Sequence, residues 1–219
     1  MDLKRIQNSR WWDFAAAMPV FLLCLFGAAG FGIQIIRQWY GNTGSALIIA
    51  SEVTGAIFLL FQAGLLCVRR LPVAKAAGLA PRVWALIGAN FTYLLVLVPK
   101  ATPIPALAAV SNLLMLVGTT GSVFTLFWLG KSFAILPQAR KLVTGGPYKW
   151  VRHPLYLAEQ ISGFGLALQY QQPWALLLVL IGFIVQFPRM SFEEAVLEES
   201  DLAYHSYKMN TARILPFIY

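Results

Sequence analysis

Charge is scarce in this sequence. Asp, Glu, Lys and Arg make up only 12% of its 219 residues, against about 25% in an ordinary soluble domain. So little charge cannot clothe a water-facing globule, so the whole chain, 1–219, reads as one membrane domain with no separate soluble one. Cysteine is nearly missing too. Cys24 and Cys67 both sit inside apolar runs, which excludes a disulfide framework and a cysteine-rich metal site. The two histidines, His153 and His205, have no cluster of ligand spacing around them, so no metal is expected. There is no GxGxxG dinucleotide fingerprint, no strand-like alternation, no internal repeat and no low-complexity tract.

What is present is apolar length. Crossing the hydrocarbon core takes roughly 20 apolar residues in a helix. Spans are expected at about Phe14–Ile36, Ala46–Val68, Val83–Val98 and Ala106–Leu129. A fifth apolar region, about Leu157–Phe187, is too long for one simple span and is interrupted by Gln169, Tyr170, Gln171, Gln172 and Pro173. It reads as two helices in a hairpin, because lipid leaves no place for unpaired backbone outside helices and closed barrels, and proline suits the turn. The fold class is therefore all-α integral membrane, with about five to six transmembrane helices. The basic segment before Phe14 precedes a long apolar run, whereas a cleaved signal peptide needs a shorter apolar core and a small-residue cleavage site, so a retained first helix is expected.

The net charge of +8 could point to nucleic acid, but its placement gives it another purpose. With the N-terminus in the cytosol, all the basic residues except Arg37 and Lys100 fall in inside segments. Lys4, Arg5 and Arg10 come first, then Arg69 to Arg82, Lys131 to Arg152, and Arg189 to Arg213. That is the positive-inside pattern, and no nucleic-acid partner is expected. The prolines at 99, 103 and 105 read as an outside turn.

Polar residues gather in two places on the expected cytosolic side. The first is LVTGGPYKWVRHPLYLAEQ, Leu142–Gln160. Gly145, Gly146 and Pro147 form a turn, Pro154 suits the first turn of a helix, and Tyr156 and Glu159 fall three residues apart on one face. Trp150 and Lys149 read as interfacial anchors. His153 serves equally as structural donor, acceptor or base. The second group is the tail from Arg189. On a helix Arg189 and Glu193 are neighbours, which alone describes a surface ion pair worth little; Glu198, Glu199 and Asp201 read as a solvated face. Glu52, near the outer end of the second span, either reaches the interface, pairs with Arg37, or is one of the costly intramembrane carboxylates that serve function.

The run LVTGGPYKWVRHPLYL, the apolar hairpin after it, Arg189, Glu193 and Glu194, and a tail with Tyr204, Tyr207 and LPFI (215–218) together resemble the isoprenylcysteine carboxyl methyltransferase family, to which phospholipid N-methyltransferases are related. The resemblance covers roughly Gly130 to Tyr219, so 130–219 is expected to be the catalytic core and 1–129 a set of N-terminal helices. It implies a membrane methyltransferase that uses S-adenosyl-L-methionine in a cytosol-facing pocket. By position, Leu142, Val143, Gly146, Tyr148, His153, Pro154, Tyr156 and Leu157 would line that pocket. Glu193 or Glu194 would hold the cofactor's amino-acid end, and Arg189 would lie near the reacting centre. The implied acceptor is lipid-like or otherwise hydrophobic, with an isoprenylcysteine-type carboxylate favoured and a phospholipid amine as the alternative. Two departures stand out: Arg140 occupies the place where the family often has histidine, and Phe-Gly is missing before the tail tyrosines.

The implied chemistry suits these residue types. The cofactor carries a sulfonium, an ammonium and a carboxylate, which match aromatic faces, a carboxylate, and an arginine or histidine respectively. Methyl transfer is an in-line displacement that needs alignment more than a metal. Two other classes compete. A sterol-reductase-like enzyme would take a nicotinamide cofactor. A scaffold or transporter subunit would bind neither cofactor, and a transporter should show paired polar breaks in its two halves, whereas the sequence has one such region.

Overall fold

The computed structural model describes residues 10–101, 104–170 and 172–216. Lys4 and Arg5 of the basic N-terminus, Pro103 of the outer turn, Gln171 of the hairpin turn, and Phe217 and Ile218 of the tail lie outside the described residues. Helix α1, Arg10–Gly41, runs antiparallel to α2, Ala46–Val68. The link between them is short, and the Ser45 hydroxyl caps α2 by accepting from the Ile48 amide. The expected bounds of the second span match those of α2. Helix α1 is longer than expected at both ends.

The third expected span is not a single helix. Residues 83–98 divide between α3, Ala80–Asn90, and a 3₁₀ segment, Phe91–Leu97. The Asn90 side chain donates back to the Leu86 carbonyl at 2.8 Å. Such local bonds compete with helix continuation, and the tighter 3₁₀ turns begin at the next residue. With rises of about 1.5 and 2.0 Å per residue the two pieces together reach about 30 Å.

Helix α4, Pro105–Leu129, ends at Gly130. Helices α5, Pro154–Ala167, and α6, Trp174–Ser200, form the expected hairpin. Its first arm is short, and its second continues well past Phe187, carrying Arg189, Glu193 and Glu194 on one continuous helix. A short α7, Leu202–Asn210, follows.

Among the described residues, four helices are long and apolar enough to cross a membrane: Asp13–Gly41, Ala46–Val68, Pro105–Ser132 and Trp174–Ser200. Only 17% to 33% of their apolar windows is buried inside the protein, and Phe26, Ile36, Phe127 and Ile184 point outward. That is the reverse of a soluble core, and it makes the chain an integral membrane protein.

Close approach and hydrogen bonds join the helices, as expected where lipid removes the hydrophobic drive between them. A Cβ on Gly118 of α4 would lie 2.3 Å from the Ser162 nitrogen of α5, so only glycine admits this contact. Ser51 donates to Asn112 at 3.1 Å, and the hydroxyls of Thr54 and Thr119 meet at 2.8 Å, linking α2 to α4. Glu52 is buried and accepts from Gln38 at 2.7 Å, so its bonded partner is that amide rather than Arg37.

The loops sort to two ends. Two-residue strands β1, Ala74–Lys75, and β2, Gln138–Ala139, pair antiparallel with Ala74 opposite Ala139. The first turn of α1 joins them, since Asp13 bonds Arg69 at 2.8 Å and Arg140 at 3.1 Å. At the other end, Lys100 bridges Tyr170 in the hairpin turn. The segment carrying most of the basic residues is therefore gathered on one face, called here the loop end.

Candidate functional site

The site begins at the turn 145–147. Gly146 has φ +59, and a Cβ there would stand 2.3 Å from the Trp128 ring. Both the left-handed backbone and the indole against it require glycine. The following 3₁₀ turn, Gly146–Lys149, buries Tyr148. The tail then clamps the next residues in extended pairing. The Arg152 amide donates to the Ala212 carbonyl at 2.8 Å, and that of His153 to Arg213 at 3.0 Å. Pro154 opens α5, where its missing N–H costs no helix bond.

Two carboxylates one residue apart on α6 do different work. Glu194 Oε1 lies 2.9 Å from His153 Nε2, 3.2 Å from Arg152 Nε and 3.1 Å from Arg213 Nε. Three basic groups thus converge on one buried oxygen, tying the RHP segment and the tail to α6. Glu193 Oε1 instead accepts from Tyr156 Oη at 2.5 Å and Arg189 Nε at 3.2 Å. Arg189 also donates to the Ile135 carbonyl at 3.1 Å and lies over the Tyr156 ring, 4.8 Å from its centroid. The Tyr156 ring in turn stacks on His153, 5.4 Å away and 13° from parallel.

Tyr204 and Tyr207 of α7 complete the loop end. Tyr207 Oη donates to the Tyr148 carbonyl at 2.7 Å. Burial pushes the hydroxyls of Tyr148, Tyr204 and Tyr207 well up from the usual phenol range. They therefore remain neutral donors with intact aromatic faces.

These groups surround a cavity of about 380 Å³ that runs from the loop end into the helix bundle. Leu142, Val143, Tyr148, His153, Tyr204 and Tyr207 line its mouth, and Tyr156, Glu159, Arg189 and Glu193 its middle. Phe31, Phe58, Leu59 and Met115 line its deep part.

Of the residues expected at a cofactor pocket, Leu142, Val143, Tyr148, His153, Tyr156, Glu193 and Arg189 thus face one space. Gly146, Pro154, Leu157 and Glu194 do not line it. Gly146 and Pro154 shape the backbone, and Glu194 holds the cationic cluster behind His153. Leu157 packs beside Tyr156, Met190 and Ile214. Arg140, in the place where histidine was expected, is taken up by Asp13 and by Gln138 at 2.9 Å. The sequence reading paired Glu159 with Tyr156 on a helix face but gave it no role, and it missed Gln62, which comes from α2. No local motif marks a residue contributed from so far along the chain. Among the described residues, no group of three His, Cys, Asp or Glu side chains could hold a metal ion.

Residues 105–200 match the family model for phospholipid methyltransferase, a stretch that holds α4, the 145–153 loop, α5 and α6. No curated protein matches the chain. Among solved structures it is similar to the eukaryotic intramembrane Ras methyltransferase, isoprenylcysteine carboxyl methyltransferase. The identity is 19% over 95% of this chain and 96% of that one, with a TM-score of 0.44. The family match, falling on the segment that carries the sequence resemblance, together with the apolar helices makes this protein an integral membrane methyltransferase.

Proposed function

We propose that this membrane methyltransferase transfers a methyl group from S-adenosyl-L-methionine, held at the mouth of the cavity, to a lipid-like acceptor whose apolar part lies in the deep end. The observation that carries this reading is the continuity of one cavity from a polar, aromatic mouth to an apolar interior within the bundle. Its volume falls in the range of about 300–1,000 Å³ usual for small-molecule sites. Such a space lets a water-soluble donor and a membrane-soluble acceptor meet without either leaving its own phase.

The side chains at the mouth fit the donor's charges. Glu193 offers a carboxylate to the ammonium, and the faces of Tyr148, Tyr156 and Tyr207 suit a sulfonium. Glu194 engages His153 Nε2, and Nδ1 lies 4.0 Å from Glu193 Oε2, beside the carboxylate offered to the ammonium. The donor, when bound, supplies an electrophilic methyl. The protein's own task is to align and desolvate the reactants. Arg189, locked by Ile135 and Glu193, would act by fixing Tyr156 and Glu193. In this reading the loop end faces the cytosol, which the positive-inside distribution of Lys and Arg supports.

The test is incubation of purified protein with methyl-labelled S-adenosyl-L-methionine and membrane extract, followed by product identification by mass. Label in a solvent-extractable product is the expected result. Tight binding of reduced nicotinamide cofactor, with no binding of S-adenosylhomocysteine, would overturn the proposal in favour of a reductase.

A further inference from the structure

The inference that Glu159 supports rests on the function proposed above. The Glu159 carboxylate lies on α5 one turn deeper than Tyr156 and lines the same cavity. It makes no hydrogen bond and no ion pair with any described residue, whereas Asp13, Glu52, Glu193 and Glu194 each have one. Asp13 has Arg69 and Arg140, Glu52 has Gln38, Glu193 has Tyr156 and Arg189, and Glu194 has its three basic groups. Arg189 is the cation that acts on Glu159 electrostatically, but its Nε, Nη1 and Nη2 are directed to Glu193, Gln186 and Ile135. Deeper in, Cys24 and Tyr93 lie within electrostatic reach of Glu159, and Cys24 is bonded to Gln62. Beyond them Phe31, Phe58, Leu59 and Met115, with Thr119, line the space.

An unpartnered carboxylate within a membrane bundle is costly to keep. This one stands at the junction of the polar mouth and the apolar deep end, where an acceptor's reactive head would meet the methyl group. A second carboxylate there would meet like charge at short range. An ammonium would gain an opposite charge and a hydrogen-bond acceptor at once.

We infer that Glu159 binds the reactive head of the acceptor directly and selects an amphiphile with a primary or secondary amine over one with a carboxylate. The acceptor's ammonium passes one proton to the Glu159 carboxylate, which frees the nitrogen lone pair. The nitrogen–carbon bond then forms as the methyl–sulfur bond breaks. The bonding pair leaves with sulfur as a neutral thioether, and the positive charge moves to the methylated nitrogen. Glu159 is thereby a base as well as a recognition group.

The test uses the full chain in nanodiscs, with protein-free nanodiscs as blank. Decylamine and decanoate are titrated calorimetrically onto the wild type and Glu159→Gln, and S-adenosylhomocysteine onto both. The wild type should bind decylamine at least tenfold more tightly than decanoate. Glu159→Gln should erase that preference while holding S-adenosylhomocysteine within twofold of wild type, which also shows that the variant is folded. Equal binding of the two amphiphiles by wild type, or a preference that survives in Glu159→Gln, overturns the inference alone if S-adenosylhomocysteine still binds. Wild type that binds no S-adenosylhomocysteine overturns the proposed cofactor, and the inference with it.

Discussion

His153 Nε2 stands 2.9 Å from Glu194 Oε1, yet only the histidine of the pair lines the cavity. In the proposed function Glu194 would act on a ligand through His153, by fixing the ring whose Nδ1 lies 4.0 Å from Glu193 Oε2. It also pairs with Arg152 and Arg213, and its loss removes the buried negative charge that the three basic groups share. Removing one partner of a buried ion pair costs about 3–5 kcal/mol. Glu194→Ala should lower the melting temperature in detergent and weaken S-adenosylhomocysteine binding together. Unchanged melting with unchanged binding would refute a positioning role.

Glu193 differs because it faces the ligand space itself. Glu193→Gln keeps an acceptor for Tyr156 and removes the charge offered to the cofactor's ammonium. Binding of S-adenosylhomocysteine should fall by about tenfold, the range of a lost charge-assisted hydrogen bond of about 1.5 kcal/mol or more, while melting moves less than in Glu194→Ala. Calorimetric titration of the two variants side by side checks the contrast; equal loss of stability in both would contradict it.

Gly146 tests the turn. Alanine there is strained by φ +59 and meets the Trp128 ring. Gly146→Ala should therefore move Tyr148 and weaken cofactor binding. The neighbouring Gly145, whose Cβ would come no closer than 3.2 Å to Trp128, is the matched control. Loss of binding equal in Gly145→Ala and Gly146→Ala would argue against a specific left-handed requirement.

Asp13 carries a structural prediction. Its carboxylate pairs with Arg69 and Arg140, whose side chains are almost fully buried. Burial holds both guanidinium groups below the usual arginine range while Asp13 works against it. Asp13→Asn should destabilise the fold by about 3 kcal/mol, as for a broken buried pair. Thermal unfolding in detergent measures this, and wild-type stability in Asp13→Asn would show the cluster to be dispensable.

The long spans were legible because apolar length is written locally, as in Ala46–Val68, whose bounds match the helix. The third span was not, since the Asn90 side chain bonding to Leu86 is a matter of geometry that hydropathy does not record. At the site, the RHP and Gly-Gly-Pro motifs lie in one run of sequence, and residues in and beside them line one end of the cavity. The division of labour between Glu193 and Glu194 was illegible. On a helix they point about 100° apart, and only the position of the tail decides which one meets Arg213 and which the cavity. Glu159 needed the structure most. Its importance lies in lacking a partner, and a partner's absence cannot be read from one helix face.

The most direct measurement of the central claim is transfer of label from methyl-labelled S-adenosyl-L-methionine into membrane extract by the purified protein, run beside Glu193→Gln. Wild type should put label into a solvent-extractable product, and the variant should do so at a severalfold lower rate at subsaturating cofactor. No transfer above the protein-free blank, or a rate indifferent to Glu193, would contradict that claim.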